Sequence, residues 1–154
     1  MKTLRHSAPT NILFLVYKAL CQSLIIYCIR VWGGAAKTIL IDLERAQRAV
    51  LKVMLHKPFR FNTDELYRDC RVLRVRQLFI LRATMHMHRA TLKSNNYEQL
   101  ANQRVFKVPT PAIRTTFAGR QPHYLLPYVY NVVCRKLELR YLTTHQLKQT
   151  VTRH

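Results

Sequence analysis

The 154-residue sequence is short of carboxylates, glycine and paired cysteines, and each shortage excludes something. Only 7 Asp and Glu stand against 26 Lys and Arg, which leaves little material for a paired-acid or two-metal active site. With 3 glycines, most glycine-rich phosphate cradles are ruled out. The 4 cysteines, Cys21, Cys28, Cys70 and Cys134, include no C-x-x-C pair and fit neither a zinc ribbon nor a disulfide scaffold. Cys21 and Cys28, seven apart, read as buried thiols on one apolar helix face, which suits a reducing compartment, nucleus or cytoplasm. No long apolar run is free of charge. The longest, residues 12–32, follows Lys2, Arg5 and His6 and precedes Gly33-Gly34, but holds Lys18, Gln22 and Arg30. It is too long for a signal peptide core, and a lysine at the centre of a spanning helix costs about 2.5–3.5 kcal/mol. A buried core helix with one wet edge is the better reading, and a membrane partner is not expected.

What is present is apolar mass and positive charge. Hydrophobic residues make up 49% of the chain, enough for a packed core and too many for simple disorder. The net charge of +19 is spread as +4 over residues 1–36, +8 over 37–94 and +7 over 95–154, so it is not confined to a tail. A polyanion is the expected partner.

Periodicity predicts an all-α fold of about four to five helices with an irregular, basic, Pro- and Thr-rich segment. Expected divisions are a tail over 1–9, a helical domain over 10–93, the irregular segment over 94–127 and a helical segment over 128–154. The first helix is expected from Thr10 to Trp32, capped by Thr10 or Asn11 after Pro9 and ended by Gly33-Gly34. A second runs from Lys37 to Lys57 before Pro58, with Leu43, Ala46, Val50, Val53 and Met54 inward. Its wet face carries Glu44, Arg45, Arg48, Lys52 and His56, and Glu44–Arg48 is an i,i+4 pair. Asn62 with Glu65 gives a capping box for a short helix to Cys70. The next helix, Val75 to Lys93, has Leu78, Phe79, Leu81 and Met85 inward and Arg82, His86, Arg89 and Lys93 outward. Pro109, Pro111, Pro122, Pro127 and Gly119 break the chain after it, where Val105–Val108 is a weak strand signal. Helix resumes from Tyr128 to Tyr141, and Thr143 or Thr144 caps a last turn with Leu147 and Val151.

Catalytic or metal chemistry finds little support. Asp64, Glu65 and Asp69 form the sole acid cluster, and a helix N-terminus explains the first two. His86 and His88 point about 200° apart on a helix and cannot share a metal there. No catalytic residue, metal site or resident cofactor is expected. For nucleic-acid binding the candidates are Arg45, Arg48 and Lys52 on one helix, Arg82, Arg89 and Lys93 on another, and Arg114 and Arg120 in the irregular segment. Tyr97, Phe106, Phe117, Tyr124, Tyr128 and Tyr130 are interleaved as possible stacking partners for bases.

Tyr17-Lys18-Ala19-Leu20-Cys21-Gln22-Ser23, Tyr27 and Val31-Trp32-Gly33-Gly34 form a pattern with residues 43–53, LERAQRAVLKV. Further along come 63–67, TDELY, and 75–81, VRQLFIL. Then follow 108–111, VPTP, 114–117, RTTF, and 126–131, LPYVYN. In order and spacing these resemble non-LTR (LINE-type, Jockey-like) retrotransposon reverse transcriptases, over the stretch just after the polymerase palm. The resemblance spans about residues 10 to 150. It implies a C-terminal, thumb-like fragment of an RNA-directed DNA polymerase that grips the template–primer backbone, whether RNA, DNA or a hybrid. The palm, with its Asp-Asp motif for catalytic Mg²⁺, has no counterpart in these residues, so the piece is expected to be inactive alone. The family often has glycine at the position of Cys28. The missing palm would be a partner, and apolar surface left open in its absence would favour self-association. Rival expectations are an inert transposon remnant and a small protein anchored in a membrane by residues 12–32.

Overall fold

In a computed structural model, the described residues are 8–95, 97–137, 139 and 142–153. The chain is all-α, and no strand occurs among the described residues. It divides into two compact units. Unit 1 comprises residues 8–29 and Ala35–Leu78; unit 2 comprises Arg30–Gly34 and the described residues from Phe79 onward.

Unit 1 opens with α1 (Thr10–Val16), which passes into a π-helical stretch, Tyr17–Gln22, and then α2 (Ser23–Ile26). Its N-cap is Pro9, not Thr10 or Asn11; the Asn11 side chain instead accepts from the Ile12 amide at 2.9 Å. The helix expected to reach Trp32 stops early. Cys28 takes a φ of 49°, the left-handed region that a helix cannot propagate through, and α3 (Ile29–Trp32) is a separate turn belonging largely to unit 2. Cys28 is exposed and Cys21 half-buried, so the two thiols do not share a buried face.

α4 (Lys37–Met54) ends three residues before its expected limit. His56 adopts φ 52° and the Lys57 amide returns to the Lys52 carbonyl at 3.0 Å, a Schellman closure with histidine where glycine is usual. The buried side chains are Gln47, Leu51 and Met54; Leu43, Val50 and Val53 are half-buried, and Ala46, expected inward, is exposed. The inward face is turned because Gln47 sits at the centre of a hydrogen-bonded knot. Its Nε2 donates to the Tyr17 hydroxyl (2.9 Å) and the Leu73 carbonyl (3.0 Å), and its Oε1 accepts from the Tyr67 hydroxyl (2.8 Å). Burial raises the pKa of both phenols. Around them pack Leu13, Leu51, Met54, Leu66, Cys70 and Val72.

α5 (Thr63–Cys70) begins where the sequence places it: Asn62 Oδ1 accepts from the Asp64 and Glu65 amides at 2.8 and 3.3 Å. Arg71, at φ 49°, ends it. α6 (Val75–Leu92) supplies Val75–Leu78 to unit 1 and the rest to unit 2.

In unit 2, α6 buries Phe79, Leu81, Ala83, Thr84, His88 and Thr91. α7 (Tyr97–Ala101) is short, and residues 102–117 form no regular structure. Val105–Val108 is not a strand. Phe106 anchors the segment edge-on against Tyr130 (6.1 Å), and the Asn131 side chain supplies both bonds a neighbouring strand would give. It accepts from the Val108 amide and donates to the Val108 carbonyl, each at 2.8 Å. A 3₁₀ turn, Ala118–Arg120, leads into α8 (Pro122–Lys136). This helix starts six residues earlier than the sequence predicts. Pro122 opens it at a position where proline lacks no needed donor, and Pro127, expected to break helix, lies inside it and is buried beside Leu126, Tyr130 and Asn131. The helix ends at Lys136; its expected extension to Tyr141 runs into positions outside the described residues, as does most of the 1–9 tail. α9 (Thr144–Arg153) is capped by Thr143, whose amide donates to Gln146 Oε1 (2.9 Å) while the Gln146 amide returns to Thr143 Oγ1 (3.4 Å). His88 ties α6 to the turn before α9: Nε2 donates to the Leu142 carbonyl (2.7 Å), leaving Nδ1 to accept from Tyr130 (3.0 Å).

Candidate nucleic-acid interface

The turn after α4 shapes a concavity on unit 1. Because His56 reverses the chain, Pro58 and Phe59 fold back beside the C-terminal half of α4, and Lys52 Nζ donates to the Phe59 carbonyl at 2.5 Å. The result is a groove of about 1020 Å³ within unit 1. Arg45, Arg48 and Lys52, spaced by three and four along α4, all line it, with His56, Lys57, Pro58 and Phe59. Arg45 is also held by Asp42 at 2.8 Å, with both side chains about two-thirds exposed or more, so that pair costs little to exchange for a phosphate. The lysine bond at Phe59 is to a carbonyl, so it orients the ammonium without neutralising it. The expected Glu44–Arg48 pair is not among the ion pairs seen, which include Arg45–Asp42, Lys57–Asp69 and Arg74–Asp64.

Arg82 and Arg89 are exposed on one face of α6, as their spacing with His86 requires, and Lys93, just past the end of the helix, is exposed too. Arg30, which the spacing could not reveal, joins them: its guanidinium meets His86 Nδ1. Burial, and then the Arg30 charge, push the His86 pKa down. Arg114 and Arg120 are exposed on the irregular segment and the 3₁₀ turn, and neither lines the groove on α4. Instead Arg104, Lys107 and Arg135 surround a smaller cavity of about 250 Å³ beside Asn131 and Cys134. That grouping depends on the Asn131–Val108 pairing, which brings together positions 23 apart.

The aromatics sort differently from expectation. Phe106 and Tyr130 belong to the core, and Tyr124 and Tyr128 stack on each other with centroids 5.7 Å apart. Phe117 is 72% exposed, and Phe59, absent from the sequence candidates, is 91% exposed at the edge of the groove.

No group of three or more His, Cys, Asp or Glu able to hold a metal ion occurs among the described residues. Asp64 and Asp69 face Arg74 and Lys57 instead. Among the described residues no helix is long and apolar enough to cross a membrane. Compared with the profiles of known protein families, with curated proteins and with solved structures, the chain matches none.

Proposed function

We propose that this chain is a thumb-like, C-terminal portion of a non-LTR retrotransposon reverse transcriptase, and that it holds the phosphate backbone of a template–primer without itself polymerising. The observation that carries the reading is the groove on α4, where Arg45, Arg48 and Lys52 line one concavity in a chain of net charge +19. So few carboxylates offset this charge that a polyanion is the fitting partner. Cys28 adds a detail. The family often has glycine there, and the φ of 49° is one that glycine adopts freely. Leu15 of α1, Leu20 of the π-helical stretch and Leu24 of α2, between 61% and 75% exposed, are the surface through which the piece would meet a palm or self-associate.

A salt titration against a labelled RNA–DNA hybrid, with duplex DNA alongside, tests the reading. Log affinity should fall linearly with log salt, with a slope of several units. Replacing Arg45, Arg48 and Lys52 together by Glu should weaken binding by about tenfold or more at constant helicity. No binding at low salt by a helical chain would overturn the proposal, and primer extension with Mg²⁺ and dNTPs would overturn its non-catalytic part.

A further inference from the structure

Phe59 is the most exposed large apolar side chain among the described residues, and its position is not accidental to the groove. Leaving a phenylalanine in water forfeits about 1.5–3 kcal/mol of burial, so the ring contributes little to the fold. It is nevertheless held. His56 turns the chain, Pro58 restricts the residue before it, and Lys52 bonds the Phe59 carbonyl while its Nζ lies 5.6 Å from the ring centroid. The groove therefore presents an open aromatic face flanked by the cations of α4.

That combination suits one chemistry. Cations alone serve any phosphate backbone, paired or not. An aromatic ring adds affinity by stacking on a base, and in a continuous duplex the base faces are already covered by their neighbours. We propose that this groove takes an unpaired nucleotide, its base on Phe59 and its phosphates against Arg45, Arg48 and Lys52, so that the chain prefers single-stranded nucleic acid or a single-stranded overhang to blunt duplex. The volume, about 1020 Å³, is ample for one nucleotide. The charge of the surrounding wall argues for this occupant over an apolar protein surface, which would have to desolvate at least three cations. The inference rests on the backbone-binding reading above and names the form of nucleic acid that the same site selects.

The test is fluorescence anisotropy of the full chain with labelled oligouridine, its DNA equivalent and a blunt duplex of equal length at one salt concentration. The unsubstituted chain should bind both single strands more tightly than the duplex. Phe59→Ala should weaken single-strand binding by about fivefold or more and duplex binding by less, and Phe59→Trp should preserve it with quenching of the new indole. Because Phe59 is so exposed, circular dichroism of Phe59→Ala should be unchanged. Equal affinities for single strand and duplex, with no loss in Phe59→Ala but a loss in the triple Glu variant, would overturn this inference and leave the backbone reading standing. Loss of neither would overturn both.

Discussion

The two units solve opposite problems. Unit 1 fixes regular helices with a buried polar knot, whereas unit 2 fixes irregular backbone with single side chains and one missing side chain. In unit 1, Gln47 joins α4 to the π-helical Tyr17, to Tyr67 of α5 and to the Leu73 carbonyl. Each of its polar groups is satisfied, so the knot specifies one register for three elements. In unit 2, Asn131 and Phe106 hold residues 102–117, and Gly34 lets the 3₁₀ turn pack against it. The charge tracks this difference. Unit 1 displays its cations along a helix beside a groove, whereas unit 2, besides the stripe on α6, gathers Arg104, Lys107 and Arg135 through a pinned loop. A binding surface on a regular helix is legible from spacing; one built on pinned coil is not.

Breaking the knot should have the largest effect. Gln47→Ala leaves two tyrosine hydroxyls and a carbonyl without their partner in a buried site and opens a cavity. A loss of about 4 kcal/mol is expected in urea unfolding. Cys70, buried in the same core with its thiol pKa pushed up to about 11 by burial and then by Asp69, supplies the local reading. It should become reactive toward a thiol reagent while Cys134 of unit 2 keeps its rate. If both thiols lose protection together, the units unfold as one and the comparison fails.

How far the sequence carries is clear from where it errs. Local signals hold at two of three helix starts: Asn62 and Thr143 cap their helices, because a cap and the amides it serves lie within three residues, whereas Pro9 takes the place expected of Thr10 or Asn11. The stripes on α4 and α6 also hold, since period alone defines a helix face. Gln47 escapes the pattern because its reasons for burial, Tyr17 and Tyr67, lie 30 and 20 residues away. Pro127 fails as a breaker because core packing with Leu126 and Tyr130 outweighs one lost helical bond. Phe59 is invisible as a candidate because an aromatic next to proline reads as an ordinary loop until the left-handed His56 turns it onto the groove. The role of Gly34 is only half visible. Spacing marks it as a helix end, which it is, but not as a contact.

Gly34 gives the next largest effect and tests unit 2 in turn. A Cβ there would lie 2.2 Å from the Arg120 carbonyl oxygen and 2.8 Å from Leu125 Cδ2. Leu125 can rotate away, but the Arg120 backbone cannot move without shifting the turn. Its backbone has no positive φ, so the requirement is space rather than conformation. Gly34→Ala should cost about 1–3 kcal/mol. Cys134 should then react faster and Cys70 at its former rate, the reverse of the Gln47→Ala pattern. An unchanged melting temperature would mean that the turn and the glycine do not pack as described.

The smallest effect concerns pH and only unit 2. Burial and the Arg30 guanidinium lower the His86 pKa below its ordinary 6.5, so the folded state resists a proton that the unfolded chain accepts. Stability from this source is complete above pH 6.5 and declines as the pH falls below it, because the unfolded state then binds more protons. His86→Gln keeps a polar side chain without the titration. Between about pH 7 and pH 5, the melting temperature of the unsubstituted chain should therefore fall further than that of His86→Gln. The gap should be modest, because His86 is largely open to solvent and water screens the Arg30 charge. Parallel pH profiles for the two chains would show that burial and the Arg30–His86 contact do not separate the folded and unfolded pKa of His86.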